Sequence, residues 1–226
     1  MRCRANSAVL SLAVLPFVAL AGACTPYAVS TTAVPMARGE GQRTTTLAVV
    51  PGGAEWSTDS SDTRKESIAM PSLDVEQRMG LDDRSDWGVR IPTASGVIVS
   101  YKRRLDGPTN RDTHATAIMI GAGFVNFLQH AHGEVTLITS GRESASVVPY
   151  GGVRAIQTVP MSSTAVHDTP TIGAFAGLKA GGRHRGVSAE FGVFYDRSAL
   201  GLRSNNFVFV PSIALHGDVF KRLVSK

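Results

Sequence analysis

Along residues 72–81 the side chains alternate in character. Leu73, Val75, Gln77, Met79 and Leu81 occupy one set of positions, and Ser72, Asp74, Glu76, Arg78 and Gly80 the other. A period of two places the sets on opposite faces of an extended chain, one mostly apolar and one polar. Asp82-Asp83-Arg84-Ser85 interrupts the run as a polar turn, after which Trp87, Val89 and Ile91 oppose Asp86, Gly88 and Arg90. The pattern returns in residues 96–105, where Val97, Val99 and Tyr101 oppose Ser100, Lys102 and Arg104. In residues 187–196, Val187, Ala189, Phe191, Val193 and Tyr195 alternate with Ser188, Glu190, Gly192, Phe194 and Asp196, and a further strand follows at 207–216. Glycines and small residues blur the alternation in 44–52, 114–127, 133–139, 145–159 and 169–179, which complete a count of about ten strands (roughly 8–12).

Strands of this length with one apolar and one polar face fit a transmembrane barrel, whose apolar face meets lipid and whose polar face lines the lumen. The expected fold class is therefore all-β: an antiparallel up-and-down transmembrane β-barrel following a helical signal peptide. With the faces inverted, the same alternation fits a soluble periplasmic lipoprotein with a β-sandwich or lipocalin-like fold. Its core would be Leu73, Val75, Val89, Val97, Phe191 and Val193, and it would bind a small apolar ligand or a partner protein. Charge placement favours the membrane barrel. Asp74, Glu76, Arg78, Asp86, Arg90, Lys102, Arg104 and Glu190 all fall on polar faces, with both signs present, so they can pair as a charge network inside a narrow lumen. Connection lengths agree on average: the odd-numbered ones have 19, 4, 5, 9 and 10 residues and the even-numbered ones 4, 8, 5 and 7. Residues 53–71 form the largest surface loop of this scheme. Trp56, Trp87, Tyr101, Tyr150 and Tyr195 are the candidates for interfacial aromatic girdles. Pro149 and Pro211 fall inside strands, where each implies a bulge or a strand end because proline has no N–H for the ladder.

The chain opens differently. Arg2 and Arg4 precede an uncharged apolar run, residues 8–21, which is too short for the roughly 20 residues of a membrane-spanning helix. Ala21-Gly22-Ala23-Cys24 follows, and it resembles the lipobox of bacterial lipoprotein precursors, with Ala21 standing where the family usually has Leu. The resemblance implies cleavage after Ala23 and acylation of Cys24. Cys3, the only other cysteine, leaves with the signal, so the mature chain can form no internal disulfide. The resulting organisation is a lipoprotein signal peptide (1–23), a flexible tether (24–43), a β-barrel domain (44–216) and a basic C-terminal tail (217–226).

The stretch from Leu73 to Arg90 resembles the strand–turn–strand unit of small outer-membrane β-barrel proteins, in which a Gly-Leu-x-Asp-Arg-x-Asp-x-Gly pattern joins consecutive strands. Residues 209–215 resemble their final strand. Many such barrels end in an aromatic residue, whereas this chain continues through Phe220 to Lys221-Arg222-Leu223-Val224-Ser225-Lys226. The resemblance implies a bacterial outer-membrane protein with its N-terminus on the periplasmic side. Its partners would be outer-membrane lipids, through acylated Cys24, and other envelope proteins, in a structural or interaction role.

Composition adds exclusions. Losing Arg2 and Arg4 with the signal reduces the 23 basic residues to 21 against 18 acidic ones, a net charge of +3. That balance offers no concentrated basic stripe for nucleic acid. His130 and His132 share a strand face, with His114 or Glu134 as candidate further ligands, but zinc wants three or four ligands and the stretch reads better as a polar loop. Gly121-Ala122-Gly123 lacks the downstream Gly-Lys of a phosphate loop. Gly173 and Gly177 are expected to relieve crowding in a barrel wall. Arg183-His184-Arg185 reads as a solvated turn on the periplasmic side. No Gly-x-Ser-x-Gly elbow and no two-cysteine metal site occurs, so neither a catalytic residue, a metal nor a cofactor is assigned.

Overall fold

The computed structural model describes residues 26–56, 66–107, 113–161, 170–182, 184–195 and 207–217, with the backbone alone for 52–56 and 66–68. Ten strands follow in order: β1 (Gly41–Trp56), β2 (Glu66–Gly80), β3 (Ser85–Pro92), β4 (Val97–Arg104) and β5 (Ala115–Val125), then β6 (His130–Ser140), β7 (Val147–Pro160), β8 (Thr171–Gly181), β9 (Gly186–Tyr195) and β10 (Phe207–His216). Each pairs antiparallel with its sequence neighbour, and β1 also pairs with β10, so the sheet is a closed up-and-down barrel. Closure gives every strand two neighbours and removes the free edge that an open sheet would present.

β1 starts and β10 stops at the same end of the barrel, the terminal end, where Thr44 lies opposite His216. The connections β2–β3, β4–β5, β6–β7 and β8–β9 share that end and have 4, 10, 6 and 4 residues. The far end carries the odd-numbered connections, of 9, 4, 4, 10 and 11 residues. Their lengths separate the two ends less than the sequence suggested. The expected loop at 53–71 is largely strand, because β1 runs on to Trp56 and β2 already begins at Glu66, past a register shift between Val50 and Ala54. Both rims use tight turns. Thr93 and Ala94 at the centre of the β3–β4 turn both have positive φ, 46° and 55°, the twist a two-residue hairpin favours.

The alternation in the sequence becomes an inside and an outside. Leu73, Val97, Val99, Leu137, Phe191 and Ile213 are all about half exposed on the outer wall, with Val75, Val89 and Val193 facing the same way. The soluble alternative needed several of these residues as a core, and the structure turns them outward. Along β10 the outward series runs from Phe207 through Phe209, Pro211 and Ile213 to Leu215. Eight steps at about 3.3 Å, tilted by about 40°, give a belt roughly 20 Å high, close to the roughly 25 Å apolar band of membrane barrels. Trp87 and Tyr101, paired across β3 and β4, mark the terminal side of this wall, and the Tyr195–Phe207 ring pair (5.2 Å between centroids) marks the far side. Tyr150, a girdle candidate, instead points inward and packs near Phe175. The side chain of Trp56 lies outside the described residues.

Each proline lies one residue past the end of a ladder, Pro149 beyond Ser140–Tyr150 and Pro211 beyond Ala48–Ser212. Pro149 is the third residue of β7. Pro211 lies mid-strand in unbroken register with β9, but the β1–β10 ladder covers only Thr44–Ala48 against Ser212–His216 and stops just before it. Of the bulge or strand end expected at each proline from sequence, Pro211 thus sits where the ladder to β1 ends.

Candidate functional site: the filled lumen

An eight-stranded barrel is just wide enough to be filled by its own side chains, and each added strand widens it. Here the extra room is taken by the chain itself. Residues 26–36, expected to be part of a flexible tether, are buried inside the barrel. Tyr27 clusters with Val50, Met70, Ile156, Phe194, Val208 and Val210, where β9 ends and β10 starts at the far end. Ala33 and Val34 lie with Ala115 and Ala117 in the terminal half. The Met36 amide meets Asp86, the second residue of β3, and Arg38 bridges to Gly80, the last residue of β2. The segment thus crosses the lumen from the far end to the terminal end, then turns at Gly39, whose φ of +79° suits glycine, into β1. Gly80 has no substitute at this crossing, because a Cβ there would lie 1.9 Å from the Ala37 carbonyl oxygen.

An irregular chain inside a lumen must find partners for every backbone polar group. The charged residues of the inner wall provide many of them. Both oxygens of Glu190 accept, at 2.8 Å each, from the successive amides of Val29 and Ser30. Ser30 has a φ of +51°, and a left-handed residue of this kind lets neighbouring amides converge on one anion. Arg90 and Arg154 both donate to the Ala28 carbonyl, at 3.1 and 3.0 Å. Lys102 donates to the carbonyls of Thr32 and Val34 and to the Thr31 hydroxyl. Asp86 accepts the Met36 amide at 2.8 Å, and the Ser140 hydroxyl accepts the Ala33 amide.

The eight charged residues singled out from the sequence all lie inside the barrel and are buried. Five form one connected group. Arg78 donates to Glu76 at 2.6 Å and to Asp86 at 2.5 Å, Lys102 lies 3.4 Å from Asp86, and Arg90 lies 3.6 Å from Glu76. Asp74 accepts from the Ser72 hydroxyl. Arg104 stands apart at the terminal rim, paired with Asp106 at 2.8 Å. Glu190 serves the lumen segment. Gly88 makes space for this cluster, since a Cβ there would lie 3.0–3.1 Å from Arg78 and Glu76 atoms.

A second buried group joins Glu134 of β6 to Arg154 of β7, with His132 3.0 Å from Glu134. His132 therefore engages an ion pair, and among the described residues no set of three or more groups could hold a metal ion. Gly173 and Gly177 lie under inward aromatic rings, Gly173 against Phe194 and Gly177 against Tyr150. His184 sits at the terminal rim 3.7 Å from Glu40, while Arg183, Cys24 and residues 218–226 lie outside the described residues. In the turn between β2 and β3, the Ser85 hydroxyl and the Arg84 amide donate to Asp82 and hold its carboxyl below the ordinary value.

The class defined by this arrangement is a closed ten-stranded barrel, apolar outside and charged within, whose lumen is occupied by the segment preceding its first strand. No protein-family model matches the chain, and no curated protein does. Among solved structures, the translocator domain of the autotransporter NalP from Neisseria meningitidis is similar at 10% identity and a TM-score of 0.41, over 80% of this chain and 89% of that one. The attachment invasion locus protein Ail of Yersinia pestis is similar at 13% identity and a TM-score of 0.29, over 79% and 96%. The outer membrane protein OprG from Pseudomonas aeruginosa is similar at 14% identity and a TM-score of 0.28, over 82% and 99%. Likenesses this distant say nothing about what the chain does.

Proposed function

We propose that the mature protein is a lipid-anchored β-barrel of the bacterial outer membrane with a structural or interaction role, closed to solutes and without catalysis. The observation that carries this reading is the contrast between its two surfaces. Twenty-seven large apolar or aromatic side chains among the described residues are exposed, most of them on the outer wall, while most charges of the strands are turned inward and the exposed Arg43 and Arg103 sit toward the terminal rim. Soluble monomers rarely leave an apolar patch beyond a few hundred Å² uncovered. In lipid the same wall is at its most stable, and closure satisfies the backbone without water. A shallow groove of about 700 Å³ on this wall, lined by Leu47, Ala176, Ala189, Phe191, Pro211 and Ile213, offers acyl chains a fitted surface.

The role is read as non-conducting because the lumen is filled by residues 26–36 and pinned from several strands. Acylation of Cys24 adds a second attachment to the membrane. The connections at the terminal end, where β1 starts and β10 stops, are on average the shorter, and on that ground this end is assigned to the periplasm. The test replaces Cys24 with alanine behind an ordinary cleavable signal and fractionates the cells. Folded protein that still requires detergent, and whose electrophoretic mobility shifts on heating, is the expected result. Folded protein in the water-soluble periplasmic fraction would sink the proposal.

A further inference from the structure

We infer that the N-terminus of the mature chain is delivered through the lumen to the far end of the barrel, so that its acyl groups enter the outer leaflet rather than the periplasmic one. This inference rests on the proposed reading of an acylated outer-membrane barrel and departs from the periplasmic N-terminus expected from sequence. The direction of the lumen segment carries it. Met36 and Arg38 are tied to Asp86 and Gly80 at the terminal end, where β1 begins. Nine residues earlier, Tyr27 packs on Phe194 with ring centroids 5.0 Å apart, one residue from the far end of β9. Pro26, the residue before Tyr27, is still buried. Cys24 lies two peptide units before Pro26, and two units reach no more than about 7 Å. That is short of the roughly 20 Å back across the belt, so the acylated residue is tethered near the far rim, opposite Gly41 and His216.

The segment is fixed in this direction by several independent contacts. Arg90 and Arg154 hold Ala28, Glu190 holds Val29 and Ser30, and Lys102 holds Thr32 and Val34, so successive residues of the segment are each tied to a charge of the wall. A reversed segment would bring none of these pairs together. The far rim also suits a lipid-bearing terminus. Phe127 and Leu128 in the β5–β6 turn there are 62% and 67% exposed.

The test places a short epitope in one of three positions: between Thr25 and Pro26, in the turn after Gly80, and in the turn after Val125. Antibody binding is then compared in intact and permeabilised cells. The expected result is that the N-terminal and 126–129 epitopes are reached in intact cells, while the 81–84 epitope is reached only after permeabilisation. Grouping of the N-terminal epitope with 81–84 overturns the inference. Protection of both the N-terminal and 126–129 epitopes, with 81–84 reached in intact cells, overturns the outer-leaflet assignment. Failure of the underlying reading looks different: all three epitopes respond alike, or mass spectrometry finds no acyl groups on the mature N-terminus. If the insertion blocks export, a photoreactive phenylalanine analogue at Phe194 leaves the terminus untouched. It should cross-link to the tryptic peptide ending at Arg38, and its cross-linking only to neighbouring strands would overturn the threading.

Discussion

Glu190 offers the sharpest test of how the lumen segment is held. It is buried, and its two carboxylate oxygens accept the amides of Val29 and Ser30 at 2.8 Å. Glu190→Ala leaves both amides without that acceptor inside the barrel. Each buried unsatisfied group costs about 1–3 kcal/mol, and water entering the vacated space recovers part of it, so the net loss is about 2–4 kcal/mol. Glu190→Gln keeps a carbonyl oxygen able to accept one or both amides and gives up mainly the charge assistance, so it loses about half as much. For a chain of this size each kcal/mol moves the midpoint by about 2–4 °C. The alanine variant should therefore melt roughly 5–15 °C lower in a heated gel-shift series run at one fixed heating rate. A urea titration in lipid vesicles, followed by tryptophan fluorescence, should rank wild type above Gln and Gln above Ala. If Glu190→Ala lies within about 0.5 kcal/mol of wild type, the carboxylate does not hold the segment and the account of the lumen is wrong.

The other expectations concern the same segment and its surroundings. Deleting residues 26–37 should raise single-channel conductance in planar bilayers well above that of the full chain, and an unchanged closed barrel would refute the plug. Asp86→Ala removes the partner that Arg78, Lys102 and the Met36 amide share, and should cost about 3–5 kcal/mol in the same urea titration. Gly80→Val drives a side chain into the Ala37 carbonyl and should reduce the yield of heat-modifiable barrel, whereas Gly107→Ala, with nothing within 4 Å of its new Cβ, should not.

The strands with one charged face were legible because their inner positions carry charges and their outer positions large apolar groups, as in β2, β3 and β4. β5, β7 and β8 were blurred for a reason now visible. Their inner faces carry Met119, Tyr150 and Phe175, apolar groups that cover apolar parts of the lumen segment. Phe194, out of place on the polar face of β9, packs at a tilt against Tyr27. The segment itself gave a misleading signal. Prolines, glycines and lack of period suggested a tether, yet residues 27–36 contain Tyr27, Ala28, Val29, Ala33, Val34 and Met36 and no charge. An uncharged apolar-rich stretch is a poor solvated linker, and that composition was the available clue. Periodicity could not supply the rest, because a chain held by side chains from many strands has no repeat of its own. The pairing of Glu134 with Arg154 stayed hidden for a similar reason, although Glu134 was named beside His132, since their strands alternate weakly and the pair spans 20 residues of sequence.

The claim on which the account depends is that apolar residues of the wall face lipid. Nitroxide labels placed one at a time at positions 97–102, in protein reconstituted into vesicles, measure it directly through collision with dissolved oxygen. The account predicts a period of two, with high oxygen accessibility at 97, 99 and 101 and low accessibility at 98, 100 and 102. Low oxygen accessibility at 97, 99 and 101 would put those residues in a protein core and contradict the membrane barrel.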